Sequence, residues 1–142
     1  MKEPLRVHID GGARGNPGPA GFGVHVADAS GATVAELYGF LGRATNNVAE
    51  YAACVAALEW AIAQKVGNMS LFSDSQLLVR QLEGRYKVRN AGLQPLHARC
   101  RRLMAGISSF RLSHVPRAEN KEADALANLA MDEGAGNVPS PL

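Results

Sequence analysis

Leu5-Arg6-Val7-His8-Ile9-Asp10, running into Gly11-Gly12-Ala13-Arg14-Gly15-Asn16-Pro17-Gly18-Pro19, is the stretch whose reading decides the fold. Its first six residues alternate apolar and polar side chains, the period of a strand with one buried face. The nine that follow gather Gly, Asn and Pro, so a loop is predicted from Gly11 to Pro19, with Asp10 ending the strand. Two more apolar runs, residues 20–27 and 32–41, flank Asp28-Ala29-Ser30-Gly31 and predict an antiparallel hairpin. The chain therefore opens with three strands in succession. A phosphate-cradling role for the Gly-rich loop fails on three counts. No Gly-x-Gly-x-x-Gly lies between this strand and a helix, no Gly-Lys pair occurs anywhere, and the element that follows is a strand, which offers no helix N-terminus.

After residue 44 the period changes. Thr45 or Asn46 is a suitable N-cap, and residues 48–64, rich in Ala, Leu and Glu, predict a helix ending near Gly67. Met69-Ser70-Leu71-Phe72-Ser73 reads as a short buried strand, and Asp74 as the start of a helix reaching about Leu82. Residues 84–92 form a basic, irregular connection. Leu93, Leu96, Cys100, Leu103 and Met104 then mark one apolar stripe at helical spacing, with Arg99, Arg101 and Arg102 directed away from it. Residues 107–115 predict a fifth strand and residues 119–131 a last helix. The order β-β-β-α-β-α-α-β-α makes this an α/β chain, with a mixed sheet and helices packed on it.

A length of 142 residues and a hydrophobic content of 46% suit one compact domain, placed at residues 1–133 with a loop-like tail at 134–142. Cys54 and Cys100 match no zinc spacing and read as two buried thiols in a reducing compartment. The N-terminus has no apolar leader region and no stretch approaches membrane-spanning length. A cytoplasmic location without a membrane partner is expected. The net charge of +2 hides an asymmetry, because residues 84–117 hold eight Lys or Arg and no acid. Segregated positive charge of this kind attracts phosphate backbones, although a solvated basic helix face explains it equally well on charge alone.

Acidic residues at element boundaries are more telling. Asp10 ends the first strand, Glu50 sits in the first turns of the main helix, Asp74 follows the fourth strand and Asp124 lies early in the last helix. Taken singly, each is explained by capping, by helix-dipole placement or by a turn. Four carboxylates converging at strand ends would instead repel one another unless cations neutralised them. All-oxygen ligation selects Mg²⁺ or Mn²⁺, and two such ions roughly 4 Å apart suit an in-line phosphodiester displacement.

Four blocks carry a family resemblance: Ile9-Asp10-Gly11-Gly12 with Asn16-Pro17-Gly18; Thr45-Asn46-Asn47-Val48-Ala49-Glu50; Ser73-Asp74-Ser75-Gln76; and Asn120-Lys121-Glu122-Ala123-Asp124-Ala125-Leu126-Ala127. In this order they resemble the type 1 ribonuclease H family over nearly the whole chain. The resemblance implies the ribonuclease H-like fold, a five-stranded mixed sheet with helices on both faces. It implies a Mg²⁺- or Mn²⁺-dependent endonuclease, with two ions per site when substrate is bound. Such an enzyme cuts the RNA strand of an RNA–DNA hybrid, leaving 5′-phosphate and 3′-hydroxyl ends, and is expected to act as a monomer. Whether double-stranded RNA is a second partner is left open by the sequence. Asp10, Glu50, Asp74 and Asp124 match the metal-binding carboxylates. Gly11, Gly12, Asn16, Asn46 and Gln76 match residues that contact the hybrid, where amide groups pair with 2′-hydroxyls in the wide minor groove.

The chain departs from the best-known bacterial members in two places. Their long basic handle is replaced by Gly84-Arg85-Tyr86-Lys87-Val88-Arg89-Asn90, which resembles the short-handled archaeal and bacterial subgroup and leaves Arg85, Lys87 and Arg89 to grip the duplex. The loop before the last carboxylate is also shorter. His114 reads there as a strand residue without a chemical role, and Arg117 matches an arginine of the short-loop subgroup. As a permanent cation, Arg117 suits steadying the scissile phosphate or the leaving oxygen. Two other readings compete: a non-catalytic hybrid- or double-stranded-RNA-binding module, and a junction resolvase or proofreading exonuclease on the same superfold. The full carboxylate set opposes the first, since a pure binder gains nothing from negative charge facing phosphate, and the Thr-Asn-Asn-x-x-Glu block opposes the second.

Overall fold

The computed structural model describes residues 3–142; residues 1 and 2 lie outside the described part. Strands β1 (Leu5–Ala13), β2 (Gly18–Ala27) and β3 (Thr33–Ala44) come first. Helix α1 (Asn46–Ala63), strand β4 (Asn68–Ser73), and helices α2 (Gln76–Leu82) and α3 (Gln94–Ala105) follow. Strand β5 (Ser109–His114), a 3₁₀ turn at Arg117–Glu119 and helix α4 (Lys121–Glu133) complete the chain. The five strands form one sheet in the order β3-β2-β1-β4-β5. β1 pairs antiparallel with β2 and parallel with β4, so strand direction and connection change at β1.

Helices cover both faces of this sheet, and the alternation along β2 explains how. Phe22, Val24 and Val26 point into the core that they share with Tyr51, Val55 and Leu58 of α1, and all six are essentially inaccessible. On the opposite face stand Gly21 and Gly23. A Cβ on Gly23 would lie 2.3 Å from the carbonyl oxygen of Ala123, so α4 rests directly on the strand backbone. The same device operates under α1, where a Cβ on Gly11 would sit 2.3 Å from the Ala49 carbonyl. Glycine is thus required at both positions by close approach of a helix.

Several boundaries differ from the sequence expectation. β1 runs on to Ala13 and β2 begins at Gly18, so Asp10 lies inside a strand and the turn is only residues 14–17. Gly11 and Gly12, which read as loop formers, are strand residues, and Gly11 is emptied of a side chain for helix packing. Asp74 does not open α2: Ser75 is its N-cap, with Oγ accepting from the Leu78 N–H at 3.2 Å. Thr45 caps α1 in the same way through the Val48 N–H. The last helix starts two residues later than expected, after the 3₁₀ turn. On α3, Arg99 and Arg101 are used within the fold, since they donate to the carbonyls of Pro141 and Leu82, both at 2.7 Å, and Arg99 also pairs with Glu59.

Residues 134–142 lie against the domain. Asn137 uses its side chain like a strand backbone, accepting from the Tyr38 N–H at 2.9 Å and donating to the Glu36 carbonyl at 2.8 Å. Val138 packs against the core cluster, and Val138, Pro139 and Pro141 line a groove with Leu37, Ala56 and Trp60. Among the described residues no helix is long and apolar enough to cross a membrane.

Candidate active site

The carboxyl ends of the neighbouring parallel strands β1 and β4 frame a cleft of about 350 Å³. Open α/β sheets place reactive groups where strand order reverses, and this cleft lies there. Its lining includes Asp10 from β1, Glu50 from α1, Asp74 after β4, Arg117 from the 3₁₀ turn and Asp124 from α4. Gly11, Gly12, Ala13 and Arg14 continue the wall along β1 and its turn, with Asn46, Asn128 and Met131. Residues 114 positions apart in sequence thus share one concavity.

Three of the carboxylates form a tight group. One oxygen each from Asp10, Glu50 and Asp74 lies within 4.8 Å of the others. Their electrostatics show the strain of crowding. Burial, then the charge of Asp74 and a proton shared with Asp124, push the Asp10 carboxyl up to about 8. Burial likewise raises Glu50 to about 7, while a hydrogen bond from Ser75 and the nearby Arg117 charge work in the opposite direction. Two acids kept protonated by burial, with repulsion from Asp74 added, are a site in want of positive charge. A hard divalent cation with oxygen ligands supplies it, so the donor set fits Mg²⁺ or Mn²⁺.

Asp74 is oriented by a residue that sequence reasoning did not single out. Asn120 is fully buried and donates from Nδ2 to the Ile9 carbonyl at 2.8 Å and to Asp74 Oδ2 at 3.0 Å. It ties β1, the segment after β4 and the start of α4 to one amide group. Because Ser75 does the capping, the Asp74 carboxylate is left to the site. Asp124 stands outside the tight group, and the Asn128 amide bonds back to its carbonyl at 3.0 Å.

The other sequence-nominated residues fall into three places. Asn46 lines the cleft, its Oδ1 accepting from the Ala13 N–H at 2.8 Å, and Asn16 Oδ1 accepts from the Asn46 N–H at 3.0 Å. Gln76 is outside the carboxylate cleft, in a smaller depression with Arg80, Arg85 and His114. Arg85, Lys87 and Arg89 are exposed on the connection between α2 and α3. That connection is held at two successive carbonyls: Lys87 by Gln81 at 3.4 Å and Val88 by Gln94 at 3.0 Å. His114 ends β5, is exposed, and its Nε2 lies 3.2 Å from the Asp74 carbonyl oxygen.

A mixed sheet in this order, flanked by helices and carrying crowded carboxylates where the strand order reverses, defines the class of α/β nucleases built on the ribonuclease H fold. The signature of the reverse transcriptase-like family matches residues 8–130. Ribonuclease HI of Halobacterium salinarum is 45% identical over 130 residues, covering 90% of this chain and 65% of that protein. Ribonuclease H of Halorhodospira halophila is 36% identical, covering 91% of this chain and 93% of that protein. The chain belongs to the ribonuclease H family. The crystal structure of the Halobacterium RNase H1 superposes with a TM-score of 0.88 at 43% identity, covering 92% of this chain and 98% of that one. LC11-RNase H1, solved in complex with an RNA/DNA hybrid, gives 0.85 at 39% identity, with 92% and 98% covered. The chain spans about two thirds of the full length of the Halobacterium protein, at 65%, and 36% of a bifunctional protein of Mycobacterium tuberculosis.

Proposed function

We propose that this protein hydrolyses the RNA strand of RNA–DNA hybrids as a metal-dependent endonuclease, leaving 5′-phosphate and 3′-hydroxyl ends. The observation that carries the proposal is the group of Asp10, Glu50 and Asp74 oxygens within 4.8 Å, with Asp124 in the same cleft. These four side chains would hold Mg²⁺ or Mn²⁺, two ions when substrate is bound. When present, the metal supplies Lewis-acid charge at the scissile phosphate and lowers the pKa of a bound water. Asn120 holds the Asp74 carboxylate in place through its Nδ2 hydrogen bond. The Arg117 guanidinium opposes negative charge that builds up on the phosphate and the leaving oxygen.

Asn16 and Asn46 use their Oδ1 atoms on backbone N–H groups, which leaves the Nδ2 groups as donors for 2′-hydroxyls. Gly12, beside Asn46, keeps the wall of the cleft open to a sugar–phosphate backbone: a Cβ there would meet nothing closer than 3.9 Å. Gly11 and Gln76 border the same duplex path, and the exposed Arg85, Lys87 and Arg89 bind phosphates further along it. All four carboxylates come from one chain, so a monomer suffices. The catalytic unit is residues 1–133, with residues 134–142 as a strap. Cys54 and Cys100, both buried and free, suit a reducing cytoplasm.

The test is cleavage of end-labelled RNA–DNA hybrid, double-stranded RNA and four-way DNA junction with each metal. Hybrid cleavage that disappears in Asp10→Asn and Asp74→Asn is the expected result, with double-stranded RNA cut more slowly because it shares the A-form minor groove. Cleavage that survives either substitution removes the mechanism.

A further inference from the structure

Arg14 sits in the turn between β1 and β2 and lines the carboxylate cleft. Its Nη2 pairs with Asp132 Oδ1 at 2.6 Å and donates to Asn128 Oδ1 at 3.3 Å, both on α4. The pair is open to water, with 47% of the Arg14 side chain and 61% of the Asp132 side chain exposed. An ion pair so exposed adds little to stability. Asp132 is moreover poorly placed for its own helix: it lies in the last turn of α4, where the dipole disfavours an acid and no basic residue offsets it. Structural support alone therefore does not account for an Arg and an Asp meeting at the rim of this cleft.

We propose that Arg14 is a ligand for a nucleic-acid backbone phosphate, and that Asp132 is its built-in competitor, holding the guanidinium until a phosphate replaces the carboxylate. This inference rests on the nucleic-acid reading above. The cleft lining carries four acids, which repel a polyanion, against two arginines. Arg117 approaches from the β5–α4 side and Arg14 from the β1–β2 turn, so the cations flank the carboxylates. A guanidinium fork matches phosphate oxygens as well as it matches a carboxylate, so the exchange keeps Arg14 paired and returns the exposed Asp132 carboxylate to water. Asn128 keeps its hold on Arg14 throughout and donates to the Asp124 carbonyl, so the exchanging cation stays tied to the helix that carries the fourth carboxylate.

The two partners give opposite signs, which separates the proposal from a simple brace. Binding of a short fluorescent RNA–DNA hybrid is measured by anisotropy in Ca²⁺ over a salt series, with thermal denaturation as the folding control. Arg14→Gln raises Kd about fivefold and lowers the salt slope by about one, as expected for one lost phosphate contact. Asp132→Asn lowers Kd about twofold by removing the competitor. The double variant behaves like Arg14→Gln, and Arg14→Lys falls between wild type and Arg14→Gln. Wild-type affinity in Arg14→Gln, or equal weakening by both single substitutions with an unchanged salt slope, overturns the proposal. Inorganic phosphate that raises the Tm of wild type but not of Arg14→Gln, with hybrid affinity the same in both proteins, identifies free phosphate as the ligand and also overturns it. If the wild-type protein binds and cleaves no hybrid, the functional reading falls first and this one with it.

Discussion

Removing metal should make this protein lose stability as pH rises through the neutral range, and Asp10 sets the size of the effect. Its carboxyl titrates at about 8 in the fold against an ordinary 3.8. A raised acid pKa means that the folded state keeps a proton the unfolded chain has released. The associated stability is fully present below about pH 4 and is lost as pH climbs toward about 8. Inside that window each pH unit removes about 1.4 kcal/mol. From pH 5 to pH 7 the loss from Asp10 alone is therefore about 3 kcal/mol, and Glu50, raised to about 7, acts in the same direction. For a chain of this length that is a drop of about 10 °C in Tm. Thermal denaturation with a chelator at pH 5, 7 and 8.5 reads it directly. Asp10→Asn should remove about half of the slope, leaving the share that Glu50 carries, and added Mg²⁺ should raise Tm far more at pH 8.5 than at pH 5, because the ligands bind metal only when deprotonated. A chelated wild-type protein whose Tm is flat or rises from pH 5 to 7 refutes the reasoning, as does a wild-type slope in Asp10→Asn.

Other substitutions probe separate parts of the fold. Arg117→Ala should lower turnover by about tenfold or more while the Mg²⁺ concentration for half-maximal activity barely moves; steady-state kinetics over a metal series checks this. Asn120→Ala removes the amide that donates to Ile9 and Asp74, and should cost about 2 kcal/mol in chemical denaturation besides most of the activity. Gly23→Ala drives a methyl to within 2.3 Å of the Ala123 carbonyl, lifting α4. A loss of about 1–3 kcal/mol is expected, together with weaker metal binding as Asp124 moves, both read from titrations followed by circular dichroism. Asn137→Ala should lower stability by about 1–2 kcal/mol and speed amide exchange at Tyr38, with hybrid cleavage unchanged.

The element order was legible because period 2 and period 3.6 alternate cleanly, and the acids stood out because each falls near a junction. What escaped had physical reasons. Gly11 and Gly12 read as a loop because the sequence does not reveal that the backbone of α1 will press on Gly11. Asp74 and Ser75 are equally good caps, and only the position of Asn120 decides which side chain is freed for the site. The Arg14–Asn128 contact joins residues 114 apart, a separation at which no local pattern carries information. Asn120 lay within a quoted block, yet its role depends on Ile9 and Asp74, 111 and 46 positions away. Arg99 and Arg101 looked like solvated charge until their carbonyl partners became visible.

The two side-chain hydrogen bonds between Asn137 and β3 have a consequence for life in a crowded solution. β3 is the outermost strand on its side of the sheet, and an unpaired strand margin is a template on which a second molecule can add its own strand. By engaging the Tyr38 N–H and the Glu36 carbonyl, one asparagine side chain occupies the groups through which such an intruder would register. Gly136 lets the chain lie close enough for this, since a Cβ there would stand 2.2 Å from the Tyr38 oxygen. Residues 134–142 thus cover the β3 margin at Glu36 and Tyr38, where a second copy would otherwise pair.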